Sequence, residues 1–138
     1  MGTPHSSAAS IGFYGDDLDP TEISKQLGAE PTVGVAKGGT WVTEMGAEKV
    51  ARTGSWRLVA ERCVPADLDG QIRRLFSTLS DDFEAWRSLA GRFRGRVFCG
   101  LFLASGNDGV TLRPETLLMI GERGLVLDLD IYEQTQPD

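Results

Sequence analysis

Asp128 and Asp130 are the residues best placed to do chemistry. In the run LVLDLDIY, Leu125 to Tyr132, an extended strand puts both carboxylates on one face with Tyr132, and Leu127, Leu129 and Ile131 on the other. Two carboxylates on one face can act as an acid/base pair or supply part of a cation site. A metal would need a further ligand, and the chain's one histidine, His5, lies far away near the N-terminus. The pair therefore reads as the acidic face of a solvent-exposed edge strand, a common defence against edge-to-edge pairing.

Other motifs that could carry chemistry fail on their spacing. In GDDLD, Asp16, Asp17 and Asp19 precede a helix, but the stretch lacks the length and the closing glutamate of a calcium loop. The turns AKGG and SGNDG match neither phosphate-binding pattern, GxxxxGK[ST] nor GxGxxG. There is no GxSxG elbow. With His5 in an apparent N-terminal tail, neither a Ser-His-Asp nor a Cys-His mechanism has its base. Cys63 and Cys99 with a single histidine cannot furnish a zinc set and read as small core residues, a disulfide being left open. No catalytic residue, metal or cofactor is assigned, and the expectation is a protein that is not an enzyme.

What remains is a binding surface. If helices cover one face of a sheet, the other face should carry Tyr14, Arg57, Glu61, Asp128, Asp130 and Tyr132, a mixture of aromatic and charged side chains of the kind interfaces use. The basic run GRFRGRV, with Arg73 and Arg74, reads as a solvated helix end or a partner-facing charged strip, since nucleic acid would want more interleaved aromatics than Phe93 alone.

The elements that must position these residues follow from periodicity and punctuation. Ser10 to Tyr14 reads as a strand and Gly15 to Asp17 as a turn. Asp19 is an N-cap, with Pro20 at the first helical position and Glu22 completing a capping-box pattern; Ile23 and Leu27 face inward and Gly28 stops the helix. Pro31 to Gly39 reads as a loop. Thr40 to Met45 and Gly54 to Arg62 read as strands joined by GAEKVART, with Trp56, Leu58 and Ala60 on the buried face. Leu68, Ile72, Leu75, Phe76 and Leu79 mark an amphipathic helix, and Phe83, Trp86 and Leu89 a shorter one after the break at Ser80 to Asp82. Val97 to Ser105 is apolar on both parities and is expected at the sheet centre. Thr111 to Arg123 forms a helix around Pro114, Gly124 ends it, and Leu125 to Tyr132 is the closing strand.

Each end of the chain thus reads as strand, turn, proline-started helix and second strand. That gives an α+β fold, roughly a ferredoxin-like sandwich: a mixed β-sheet with helices mainly on one face and two weakly similar halves. The expected organisation is a flexible tail over residues 1–9, a single domain over 10–133, and a C-terminal tail over 134–138. The 138 residues, 41% hydrophobic and 25% charged, suit one globular domain. A net charge of −6 disfavours nucleic acid and favours a basic protein partner, with a homodimer left open. No signal-peptide pattern and no long apolar run is present, so neither membrane attachment nor export is expected and the location is read as cytoplasmic.

The ordered phrases GDDLDPTEISKQLGAEPT, KGG, TGSWRLVAER and RPETLLMIGERGLVLDLDIY resemble the bacterial DUF4279 family over roughly Ile11 to Tyr132. The resemblance implies a small bacterial α+β domain and carries no catalytic residues. Lys37 and Trp56 are expected to hold the structure around these phrases, and Lys37 is also counted among the binding residues. Functionally, the reading is a protein-binding module, with an immunity or accessory protein of a toxin or defence system as its specific form. The alternative is a small-molecule-binding regulatory domain, and an enzyme using the two aspartates comes last.

Overall fold

A computed structural model describes residues 2–133. Eleven elements follow in the order β1 (Ser6–Gly15), α1 (Pro20–Leu27), β2 (Val33–Val35), β3 (Thr40–Val42), β4 (Glu48–Val50), β5 (Gly54–Val59), α2 (Leu68–Ser77), α3 (Phe83–Arg92), β6 (Arg94–Phe102), α4 (Pro114–Glu122) and β7 (Val126–Tyr132). Five strands form one sheet in the order β2-β5-β1-β6-β7, and β3 and β4 form a separate hairpin. The large sheet is mixed: β1 runs antiparallel to β5 and β6, and β7 runs parallel to β6. The fold is α+β, as the periodicities require.

Cross-strand register sorts the side chains into two faces. Trp56, Phe13 and Gly95 lie in one row, Leu58, Ile11, Val97 and Leu127 in the next, and Ala9, Cys99 and Leu129 in a third. These rows face the helices. Apart from Leu129, which stays exposed on the edge strand, their apolar side chains pack with Ile23, Leu27, Ile72, Phe76, Trp86 and Leu89 from α1, α2 and α3 to make the core. Phe13 joins two buried indoles, with ring centroids 6.4 Å from Trp56 and 6.1 Å from Trp86. Each indole N–H finds an acceptor, Ser24 Oγ at 3.0 Å for Trp56 and the Ser80 carbonyl at 2.7 Å for Trp86, so neither burial strands a donor.

The helix signals work locally. Asp19 accepts from the Thr21 N–H, and Gly28 takes the left-handed conformation at φ 79° that ends α1. The capping box is only half formed, because Glu22 turns away from the backbone to pair with Arg92 on α3. At α4 the cap comes from elsewhere. Its N-cap residue, Arg113, offers no side-chain bond, and Asp69 of α2 supplies the acceptor for both the Arg113 N–H (2.9 Å) and the buried Thr116 hydroxyl (2.6 Å).

Several expectations need correction. The N-terminal tail ends far earlier than residue 9: β1 begins at Ser6 and is the central strand, flanked by β5 and β6, with Pro4, Ser6 and Ser7 fully buried. Ser7 donates to Gln71 Oε1 on α2, and Gln71 Nε2 donates back to the Ser7 carbonyl, which satisfies the polar start of the strand inside the core. Strand β6, expected at the centre, is interior but next to the edge strand β7. The stretch read as a loop contains β2, and GAEKVART contains β4; Gly46, at φ 82°, closes the turn between β3 and β4. The two ends share their element order but not their pairing. Strand β5 lies between β1 and β2, whereas β6 and β7 are neighbours. The expected C-terminal tail, 134–138, lies outside the described residues.

Candidate functional site: the open sheet face

The face opposite the helices is built from the other parity of the same strands. Its rows are Val35–Ser55–Tyr14–Arg94, then Val33–Arg57–Gly12–Arg96–Val126, then Val59–Ser10–Phe98–Asp128, Ala8–Gly100–Asp130, and Ser6–Phe102–Tyr132. Central strand β1 contributes mostly small residues here, Ala8, Ser10 and Gly12, while β6 contributes Arg96, Phe98 and Phe102. The result is a shallow trough with a small-residue floor and an aromatic and arginine wall.

Gly12 lets the Tyr14 ring lie flat on the sheet, since a Cβ there would fall 2.8 Å from the Tyr14 hydroxyl. Over that surface the Arg96 guanidinium lies 5.2 Å from the Tyr14 ring centroid and 4.7 Å from that of Phe98, and donates to Asp128 at 3.2 Å. Partial burial works against its charge, but Tyr14 and Asp128 outweigh that penalty and raise the Arg96 pKa. Its Nε is buried and has no partner among the described residues. At the other end Phe102 stacks on Tyr132, with centroids 4.7 Å apart and planes 7° from parallel, and Arg62 caps Phe102 at 4.1 Å. The Tyr132 hydroxyl donates to Asp130, whose charge raises the tyrosine pKa.

The structure gathers Tyr14, Arg57, Asp128, Asp130 and Tyr132 on this face, as the alternation of residue types implies. It does not bring Glu61 or Lys37 to it in the same way. Pairing runs from Ser10 opposite Val59 to Ser7 opposite Cys63, so one extra residue is inserted after β5. That bulge shifts the alternation and sends Arg62 over Phe102, leaving Glu61 exposed at the rim with its carbonyl accepting from Gln71. Lys37 sits in the turn after β2 and pairs with Asp16 at 3.4 Å, which also accepts from Thr53 at 2.9 Å. The Thr53 hydroxyl and Lys37 hold Asp16 below the usual carboxylate range, so Lys37 fastens a turn.

Sequence reasoning missed Arg96, Phe98, Phe102 and Arg62. For the first three the signal was present: Arg94, Arg96, Phe98 and Phe102 alternate with Val97, Cys99 and Leu101, and of these seven only the latter three are buried. Three clefts open beside Tyr14, the two larger of which border the sheet face. One, of about 620 Å³, lies between the sheet and the hairpin; the other, of about 600 Å³, is bordered by Phe93, Arg94, Arg96 and Asp128.

Asp128 is engaged with Arg96 and Asp130 with Tyr132, and no group of three or more metal-ligating side chains occurs among the described residues. Cys99 is buried, which pushes its thiol up to about 12, while Cys63 is half-buried; both are free. No helix among the described residues is long and apolar enough to cross a membrane.

No curated protein and no solved structure matches the chain. The model of the DUF4279 family, a domain of unknown function, matches residues 4–134, nearly the whole length, and the chain belongs to that family.

Proposed function

We propose that this chain is a non-enzymatic, cytoplasmic protein-binding module that takes its partner on the open sheet face, in the manner of an immunity or accessory protein of a bacterial toxin or defence system. The observation that carries the reading is the arginine and aromatic layer of Tyr14, Arg96, Phe98, Phe102 and Tyr132 on the sheet face opposite the helices, where the β3/β4 hairpin stands only at the β2–β5 side. Tyrosine, arginine and phenylalanine on a preformed, rigid surface are the residue types that anchor interfaces, because they bring large contact area at small entropic cost.

Net charge describes the whole chain, whereas a partner meets one face. Here Arg57, Arg94 and Arg96 cluster toward the Tyr14 end, and Asp128 and Asp130 line the β7 edge. The complementary surface is therefore mixed, with cations opposite Asp130 and carboxylates opposite Arg57 and Arg94, rather than uniformly basic.

The test is co-purification from the native host with three forms of the chain: wild type, the face variant Phe98→Ala with Asp130→Arg, and a helix-side control, Glu84→Lys. A stoichiometric partner retained by wild type and control but lost from the face variant supports the reading. A partner held equally by all three removes the open face from the account.

A further inference from the structure

The cleft between the hairpin and the sheet has a composition at odds with the rest of the chain. Its sheet wall is Val33, Val35, Ser55 and Arg57, its hairpin wall Trp41, Lys49 and Val50, and Tyr14 and Arg52 lie at its borders. The protein carries 20 acidic residues against 14 basic ones, yet no carboxylate lines this cleft and three cations do. Among the described residues, none of Lys49, Arg52 and Arg57 forms an ion pair. Elsewhere Arg73, Arg74, Arg92, Arg96 and Lys37 have carboxylate partners, while other cations without an ion pair among the described residues, such as Lys25 and Arg87, do not line this cleft; what sets it apart is three cations around one opening with no carboxylate in the lining. Like charges gathered without a counter-charge repel, so a bound anion would relieve them.

The apolar part of the lining sets the rest of the ligand. Trp41 stands directly across the hairpin from Lys49 in register, which places an indole beside an ammonium group on the same face. Opposite it are two valines on the sheet, and Val35 is buried although it belongs to a short edge strand. Backbone bonds at the base of the hairpin, Gly38 N–H to the Ala51 carbonyl at 2.9 Å and Ala51 N–H to the Gly39 carbonyl at 2.8 Å, continue its ladder toward the chain that leaves β2. The cleft's volume of about 620 Å³ falls within the range of small-molecule sites.

We propose that this cleft binds a small organic anion with a flat apolar body, the body between Trp41 and the Val33/Val35 wall and the anionic group met by Lys49, Arg52 and Arg57. This goes beyond the protein-partner reading and is tested separately from it on the purified chain, although Tyr14 and Arg57 border both surfaces. The Tyr14 hydroxyl and the Ser55 hydroxyl are neutral donors at the same opening.

The experiment uses anilinonaphthalenesulfonate as probe and uncharged phenylnaphthylamine as its neutral counterpart. Both are titrated into the folded chain by fluorescence and calorimetry, with far-ultraviolet dichroism and melting checked for every variant. The expected result is one saturable sulfonate site per chain. Lys49→Glu with Arg52→Glu, both exposed positions, should weaken the anion about tenfold or more and leave the neutral compound within about twofold. Trp41→Ala should weaken both compounds. Raising the salt concentration should weaken only the anion. Equal affinity for the neutral and anionic compounds, anion binding indifferent to the hairpin substitutions, or no saturable site would each overturn the proposal. Loss of the sheet-face partner in the co-purification experiment leaves this result untouched, and the reverse holds too.

Discussion

Arg96 shows how much one side chain can organise. It touches Tyr14, Phe98 and Asp128 from three neighbouring strands, and it does so because Gly12 leaves room for Tyr14 to lie flat. Adding a methyl at this point should disturb the layer without touching the core behind it. We expect Gly12→Ala to displace the Tyr14 ring, detectable as a changed tyrosine environment by near-ultraviolet dichroism. Tyr132 offers a direct electrostatic reading: the adjacent Asp130 charge holds its phenol proton on, so its titration should begin above the usual tyrosine range. Asp130→Asn should bring the midpoint back down; an unchanged midpoint in an ultraviolet titration would contradict the assignment. Cysteine reactivity should split the same way. Cys99, buried and pushed up to about 12, should resist alkylation in the native protein while half-buried Cys63 reacts, giving one modified thiol per folded chain and two after denaturation.

Elements are joined by side chains that local patterns do not reveal. Asp69 looks like an ordinary acidic residue in the first turn of α2, yet it caps α4. Burial penalises its charge, but bonds from Thr116, the Arg113 N–H and Arg73 outweigh burial and hold its pKa below the normal aspartate value. A lowered folded-state pKa stabilises the protein fully above the unfolded value, about 3.9. The contribution fades as pH falls through the folded value. Asp69→Ala should therefore cost about 2–3 kcal/mol at neutral pH, from the lost cap and the stranded Thr116 hydroxyl, and much less in acid. Denaturant melts at neutral and low pH check both halves of that statement. Arg123 is the second such joint. It is buried against Phe76, Phe83 and Trp86, with centroids 4.6, 5.1 and 5.4 Å away, and donates to the Met119 carbonyl. Arg123→Ala should cost about 2 kcal/mol through lost packing, and Arg123→Met, which restores most of the volume, should cost less.

These joints mark the boundary of what the sequence makes legible. Asp19, Pro20 and Gly28 announce α1 because capping is local, and the stripe from Leu68 to Phe76 announces α2 because helical period is local. The cap from Asp69 joins residues 44 and 47 positions apart and leaves no local trace. The start of β1 was hidden for another reason. Ser6, Ser7, Ala8 and Ala9 are small and half polar, so they mimic a tail, and the buried strand shows in distant partners, Cys99 to Phe102 across the sheet and Gln71 and Cys63 for Ser7. On the candidate face, five of seven named residues were legible through alternation. The bulge before Cys63 defeated the sixth, Glu61, because one inserted residue reverses which side chain faces which way.

At the scale of the whole molecule, the sheet divides the protein into a packed side and an open side. Helices α1 to α4 close over Ile11, Phe13, Trp56 and Val97, and nothing comparable covers the opposite rows among the described residues. We propose that this open side receives a protein, and side-chain footprinting by hydroxyl radicals, with and without the co-purified partner, checks it most directly. Tyr14, Phe98, Phe102 and Tyr132 should become protected in the complex while Leu117 and Leu118, exposed on α4, stay reactive. Protection of Leu117 and Leu118 with the four face aromatics still reactive would contradict it and move the binding surface to the helices.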